Sequence, residues 1–284
     1  MVLSLIIGLL CLFANPSASM ADSPKAISLY AGHSESLLAL GYGDRLVGVS
    51  QSDDPDLFPG RVRLPVRFDP ESIIALSPDL VLIRPMIETV NRRAVDTLRR
   101  SGLTVISMEP SSWDGLEDYV RRLSELMGGD AVESVAKLRS EISELTEMSS
   151  ERRGDRVQKV YFLETGEGGV RTCSPASWAA GVLSLAGLEN GAPDAEPIKN
   201  GSPLAYYGLE RLLSLSSKGL DLYIVQKGTM NDVDEDDVIH RPWMKAFKGT
   251  ELVFIDEKDL TRPSLFRLEK TVRMLVERAY GEKR

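Results

Sequence analysis

Polar, cationic and aromatic side chains cluster where the predicted strands of this 284-residue chain end. Ligands of open parallel sheets bind beyond the carboxyl ends of the strands, so we expect these side chains to line one ligand cleft. Five of them are cations, in a chain whose formal net charge is −8. A guanidinium presents paired N–H donors that suit carboxylate, phosphate and oxyanion groups. The expected ligand-binding residues are Tyr30, His33, Arg67, Phe68, Arg84, Arg171, Lys227 and Arg262.

Tyr30 and His33 are the candidates for direct contact with a metal carried inside a bound chelate. A phenolate oxygen suits Fe(III), and a neutral imidazole suits several transition metals. The alternative is structural: Tyr30 would pack its ring against the cleft wall, and His33 would cap the following helix. The residues alone leave both interpretations open.

The sequence contains no recognisable enzyme motif. No glycine-rich phosphate loop joins a strand to a helix, and no two histidines have metalloprotease spacing. Because His33 and His240 are the only histidines, one chain cannot form a zinc site of three histidines. Cys173 has no acid–base motif beside it, and such a thiol is more often inert. We therefore expect a non-enzyme with no intrinsic cofactor; the alternatives are a periplasmic enzyme using Cys173 or His33, or a ligand-free scaffold.

One long helix is predicted at residues 130–153, between two halves of similar size. Asp130 and Glu133 have the spacing of a capping box, and Gly154 is a natural stop. An apolar stripe follows at steps of three and four residues, which indicates one buried face. The stripe consists of Val132, Val135, Leu138, Ile142, Leu145 and Met148. We interpret the helix as a rigid link between two lobes; the alternative is a crossover helix inside one large sheet.

Strands alternate with helices on both sides of this helix, which predicts an α/β fold of two Rossmann-like lobes with parallel sheets. The first lobe would span residues 22–129 and the second lobe residues 154–284, with the ligand cleft between them. Residues 165–174 contain three glycines and are predicted to form a loop.

The two halves also repeat one short unit. ESIIALSPDLVLI begins at Glu71, and ERLLSLSSKGLDLYIV begins at Glu210. Each reads as a glutamate, a short apolar helix, a turn and an apolar strand. A carboxylate in the first turn of a helix is stabilised by the helix dipole, which would explain either glutamate separately. It does not explain why both stand at the same point of the unit.

The N-terminus is predicted to be a cleavable signal peptide at residues 1–21, with cleavage before Asp22. The segment is uncharged and apolar, although it lacks the usual basic residue near its start. Cys11 follows Leu10 where a lipoprotein signal would have a small residue, so we do not expect a lipid anchor. The mature chain would be periplasmic. Its acidic net charge argues against nucleic acid as a partner.

The chain resembles the periplasmic solute-binding proteins of ABC importers for iron chelates, haem and cobalamin. The resemblance covers essentially the whole mature chain, and its strongest part is LLALGYGDRLVGVS combined with ESIIALSPDLVLI at family spacing. The other matching stretches are ISLYAGHSE, LRRSGLTVISMEP, GLERLLSLSSKGLDLYIV and LTRPSLFRLEKTV. The resemblance implies two α/β lobes joined by one rigid helix. It also implies a monomer that delivers a captured metal chelate to a permease dimer in the cytoplasmic membrane.

The resemblance also implies roles for particular residues. Glu71 and Glu210 correspond to glutamates that dock on the permease, and Arg262 belongs to an Arg-Pro pair common after the last strand. Tyr30 resembles a haem- or iron-ligating tyrosine of some relatives. The turn from Tyr30 to His33 departs from the Ser-Pro-rich turn of cobalamin binders. Haem, a ferric siderophore, cobalamin and an oxyanion such as molybdate therefore stay open as ligands.

Overall fold

The structure is a computed structural model that describes residues 23–166, 170–229 and 231–281. The predicted signal peptide lies outside the described residues. Two sheets stand on either side of one long helix, and helices cover both sheets. The chain is therefore an α/β protein with two lobes, as predicted.

The first sheet has five parallel strands in the order β3-β2-β1-β4-β5. Its middle strands are apolar and buried on both faces, as the continuous run Leu80–Ile83 predicted. The strands are β1 (Ala26–Ser28), β2 (Leu46–Ser50), β3 (Val62–Leu64), β4 (Leu80–Ile83) and β5 (Thr104–Ser107). The helices are α1 (Ala31–Ala39), α2 (Pro70–Ile74), α3 (Pro85–Val90), α4 (Arg92–Arg100) and α5 (Leu116–Leu126).

The linking helix α6 spans Ala131–Arg153. Asp130 caps it by accepting hydrogen bonds from the backbone N–H groups of Val132 (2.9 Å) and Glu133 (3.0 Å). The Glu133 carboxylate pairs with Lys137 at 2.6 Å. Val132 was predicted to lie on the apolar stripe, but it is 74% exposed. With 3.6 residues per turn, it projects away from the face on which Ser134, Val135 and Leu138 are buried.

Within the described residues, the second sheet has seven strands and is mixed, so the prediction of a parallel sheet was wrong here. The hairpin formed by β6 and β7 makes β7 antiparallel, and part of the predicted loop at residues 165–174 is strand. The strands are β6 (Val160–Gly166), β7 (Arg171–Cys173), β8 (Glu189–Asn190), β9 (Glu196–Pro197), β10 (Leu204–Tyr206), β11 (Leu222–Lys227) and β12 (Glu251–Asp256). The helices are α7 (Trp178–Leu185), α8 (Leu209–Lys218), α9 (Glu235–Ile239) and α10 (Leu265–Tyr280).

One hydrophobic core runs through both lobes. It includes Leu37 from the first lobe, Leu138 from the linking helix and Val272 from the second lobe. Trp113 of the first lobe packs on Trp178 of α7, with the ring centres 5.8 Å apart. A Cβ atom at Gly181 would overlap the Trp113 indole, so this approach requires glycine. The lobes are therefore joined by side-chain packing as well as by α6.

Candidate functional site

Two predicted ligand-binding residues meet where the strand order of the first sheet reverses. Tyr30 follows β1, Arg84 follows β4, and these strands are neighbours, so both residues lie at the point where open α/β sheets bind ligands. Pro85 restricts Arg84 to an extended backbone (φ −104°, ψ 158°). The guanidinium carbon of Arg84 lies 4.8 Å from the centre of the Tyr30 ring, a cation–π contact.

Arg262 reaches the same place from the second lobe. The backbone N–H groups of Thr261 and Arg262 both donate to the Glu257 carbonyl, at 3.0 and 2.8 Å, which turns the chain sharply after β12. The Pro263 carbonyl then packs against Gly32 beside the Tyr30 ring, and any Cβ atom at residue 32 would clash with both. We call Tyr30, Arg84 and Arg262 the Tyr30 site.

The cations of the Tyr30 site lie near carboxylates or an aromatic ring, but their N–H donors are not all used in hydrogen bonds. Burial raises the pKa of Tyr30, while Arg84 and Arg262 oppose that rise because they favour the phenolate. A guanidinium nitrogen of Arg262 lies 3.9 Å from the Glu35 carboxylate, and another lies 3.7 Å from that of Glu257. Both distances are too long for hydrogen bonds. The buried Nε atom of Arg84 has no hydrogen-bond partner among the described residues.

Two buried acids lie beside the Tyr30 site. Glu35 is fully buried in α1 and accepts two hydrogen bonds from Arg267 of α10, at 3.0 and 3.1 Å. Asp53 is also buried, and burial raises its pKa to about 7. Ser34 and Ser50 lie near enough to lower that pKa, but no described residue completes a hydrogen bond to its carboxylate. Sequence reasoning missed Glu35, because the only sequence signal was a single acidic residue on the predicted helix α1.

His33 is not available to a ligand. It is fully buried, its Nδ1 atom lies 2.7 Å from the Tyr119 hydroxyl, and its Nε2 atom lies 3.1 Å from the Met108 carbonyl. Burial lowers its pKa to about 4, so the ring is neutral at physiological pH. Both ring nitrogens are occupied, which leaves none for a metal. His33 is a residue of the lobe interior, and neither the predicted ligand contact nor the helix cap describes it.

Arg67 and Phe68 do not join the Tyr30 site either. Phe68 is buried in the outer core of the first lobe, where it packs with residues such as Ile73, so it cannot present its ring to a ligand. Arg67 is exposed in the loop before α2. Of the first-lobe candidates, Tyr30 and Arg84 come together, and the buried His33 ring meets the Tyr30 ring edge-on with the ring centres 5.0 Å apart.

The other two second-lobe cations lie at other strand ends. The guanidinium carbon of Arg171 stands 5.9 Å from the centre of the Tyr206 ring, and its Nε atom has no hydrogen-bond partner among the described residues. Lys227 pairs with Glu235 at 2.8 Å, and its backbone carbonyl accepts from the N–H of Glu257. Lys227 is thus close in the fold to the Arg262 turn, but its charge is already neutralised.

A cavity in the second lobe was not predicted. It has a volume of about 270 Å³ and is lined by Glu164, Val170, Arg241 and Trp243. The buried Glu164 carboxylate accepts hydrogen bonds from the Tyr223 hydroxyl at 2.5 Å and from Arg241 at 2.7 and 2.9 Å. The only sequence feature that pointed to this cavity was the position of Glu164 on a predicted strand. Arg241 stands in a segment without any recognisable pattern.

Glu71 and Glu210 occupy equivalent places in the two lobes. Each is exposed in the first turn of its helix, and the residues two positions later, Ile73 and Leu212, are both fully buried. The internal repeat read from the sequence is therefore a structural repeat.

Cys173, the thiol considered for an enzyme, is buried, and burial raises its pKa to about 11. At neutral pH it is a protonated thiol and a poor nucleophile. No group of three or more His, Cys, Asp or Glu side chains within the described ranges could hold a metal ion.

Comparison with known proteins identifies this architecture. The sequence profile of the periplasmic binding protein family matches residues 27–257, most of the chain. The chain belongs to the periplasmic binding protein family. This membership confirms the resemblance read from the sequence and agrees with the expectation of a non-enzyme. No helix of the described ranges is both long and apolar enough to cross a membrane.

Two curated relatives are similar to this periplasmic binding protein over about two thirds of its chain. An uncharacterised ABC transporter substrate-binding lipoprotein of Bacillus subtilis is 24% identical over 190 residues, which cover 64% of this chain and 60% of the relative. A vitamin B12-binding protein of Vibrio cholerae is 29% identical over 192 residues, covering 65% of this chain and 67% of the relative. The chain thus matches 60% of the length of the first of these relatives and 67% of the second.

Solved structures share the fold over nearly the whole chain. A possible iron-binding periplasmic protein from Staphylococcus epidermidis has a TM-score of 0.73 at 19% identity, covering 91% of this chain and 99% of its own. The periplasmic haem-binding protein of Vibrio cholerae has a TM-score of 0.72 at 17% identity, covering 90% and 98%. The two-lobed class is therefore confirmed.

Proposed function

We propose that this periplasmic binding protein captures an anionic chelate of Fe(III), haem or a ferric siderophore, between its lobes. The observation that carries the proposal is the Tyr30 site, in which the Arg84 guanidinium lies over the ring of one phenol and Arg262 of the other lobe is near enough to favour its phenolate. A phenolate is a hard ligand that suits Fe(III), and the two cations favour its deprotonation. The same cations would bind carboxylate groups at the rim of the chelate.

A spectroscopic titration tests this proposal. Hemin, a ferric siderophore, cyanocobalamin and molybdate would each be added to the purified chain, and binding would be followed by absorbance or calorimetry. Tyr30→Phe keeps the ring and removes the oxygen, so we expect it to abolish the phenolate-to-iron absorption band and to weaken binding. If the iron spectrum is unchanged in that variant, Tyr30 packs its ring against the cleft wall and is not an iron ligand.

Molybdate or a similar oxyanion is the second candidate ligand. It is favoured by the Nε atom of Arg84, a buried donor that has no hydrogen-bond partner among the described residues. For either ligand class, Arg84→Ala and Arg262→Ala should weaken binding, and added salt should weaken it further. Cobalamin is the third ligand to be tested, because a curated relative is a vitamin B12-binding protein. If both arginine variants bind every probe as the parent does, the Tyr30 site is not the ligand site.

We further propose that the loaded chain, as an extracytoplasmic monomer, delivers its ligand to the permease dimer of an ABC importer through Glu71 and Glu210. One carboxylate on each lobe can meet one basic pocket on each permease subunit, and two weak ion pairs on one rigid body reinforce each other. The variant with both glutamates changed to alanine should lose uptake into permease vesicles while it keeps ligand affinity. Each single variant should be only partly impaired.

A further inference from the structure

Each lobe exposes one large aliphatic side chain at the same place relative to its glutamate. Ile74 is 37% exposed and Leu213 is 36% exposed, although the residue before each of them is fully buried. Single exposed aliphatic residues are ordinary on protein surfaces. Two of them at equivalent positions of a structural repeat, with nearly equal exposure, call for a common cause.

The helix geometry places each aliphatic side chain beside its glutamate. Successive helical residues are about 100° apart, so residues three positions apart project within about 60° of each other. Glu71 and Ile74 of α2 therefore share one face, and Glu210 and Leu213 of α8 share the corresponding face. The glutamates point almost directly away from the buried residues Ile73 and Leu212. Each lobe thus presents an acidic group and an apolar group side by side.

Contacts within the chain do not account for this surface. Arg211 stands next to Glu210 but pairs with Asp194 at 2.5 Å. Among the described residues, neither Glu71 nor Glu210 has an ion-pair partner. Two equivalent acidic and apolar pairs fit a partner that offers two equivalent basic and apolar sites. A two-fold permease dimer has that symmetry.

We propose that Ile74 and Leu213 are the apolar halves of a two-point docking surface, each inserting beside its glutamate into one subunit of the permease dimer. This inference rests on the proposed docking role of Glu71 and Glu210. Carboxylate pairs at such a surface set orientation and association rate, while buried aliphatic area sets residence time. The apolar groups would therefore hold the complex that the glutamates align.

Binding to the cognate permease in nanodiscs tests the proposal. The Ile74→Ala, Leu213→Ala double variant buries less apolar area, and we expect an affinity loss of about tenfold for each residue, mostly in the dissociation rate. The Val132→Ala, Ile239→Ala double variant is the matched control, because Val132 is 74% exposed and Ile239 is 50% exposed on other helices. The control should bind as the parent does. Urea midpoints would verify that both variants remain folded.

The outcomes separate this inference from the docking proposal beneath it. If the Glu71→Gln, Glu210→Gln variant loses binding but the aliphatic variant does not, the apolar role is overturned and the docking glutamates stand. If neither variant loses binding, both proposals fail. A loss of the same size in the control would also overturn the apolar role. Sedimentation of the chain without the permease is the last test. If the parent chain is a dimer and the aliphatic variant is a monomer, the surface binds a second copy of the chain and not the permease.

Discussion

Arg267 of α10 ties the second lobe to the first, and its removal should destabilise the whole chain. Its guanidinium donates two hydrogen bonds to Glu35, at 3.0 and 3.1 Å, one to Asp259 at 3.0 Å and one to Asp54 at 3.3 Å. Glu35 and Asp54 belong to the first lobe, and Glu35 is fully buried. Arg267→Ala leaves this carboxylate buried without its main partner, which costs about 3–5 kcal/mol of unfolding free energy.

The assay is urea unfolding followed by the fluorescence of the three tryptophans. Arg273→Ala is the matched control on the same helix: Arg273 pairs with Glu269 at 2.8 Å, but both side chains are more than half exposed. An exposed pair contributes little, so this control should cost about 0.5 kcal/mol or less.

A second variant separates charge burial from lost packing. Glu35→Gln added to Arg267→Ala replaces the unpaired buried charge with a neutral amide and should recover about 2 kcal/mol. If the double variant is no more stable than Arg267→Ala, the cost comes from packing, and the reasoning from the buried charge is refuted.

The remaining predictions concern pH, packing and motion. Because the pKa of His33 is about 4 in the folded chain, its imidazole gains a proton between pH 6.5 and 4 only when the chain unfolds. Stability should therefore fall over that window, and His33→Gln should flatten the fall in the urea midpoint. The pKa of Asp53 is raised to about 7 in the folded chain. The stability that this carboxyl contributes is therefore present below about pH 4 and is lost as pH rises through 7. Asp53→Asn should be more stable than the parent by a few kcal/mol at pH 8 but not at pH 4. Gly181→Ala should cost about 1–3 kcal/mol by overlapping Trp113, and Trp113→Ala in the same chain should make the added methyl nearly neutral. Since one core joins the lobes, ligand binding should change the radius of gyration in solution scattering only slightly, and a wide closure would contradict this rigidity.

The sequence by itself determined the local and repeating parts of this protein. The Asp130 cap, the apolar steps after it and Gly154 bounded the linking helix to within one residue. Continuous apolar runs predicted the buried parallel strands, and the two glutamate-led stretches predicted the structural repeat. These features are readable because helix periods, caps and buried strands depend on residues close together in the chain.

Only the tertiary structure decided which strand-end residues share a site. Tyr30 and His33 are three residues apart, yet Tyr30 faces Arg84 and Arg262 while His33 turns into the interior to Tyr119. The pairing of Glu35 with Arg267 joins residues 232 positions apart. The antiparallel part of the second sheet starts with the local pairing of β6 and β7, but its extension depends on the distant strand β10, which pairs with β7. Burial and partners are set by elements that meet in space, and such meetings leave no periodic trace in either segment alone.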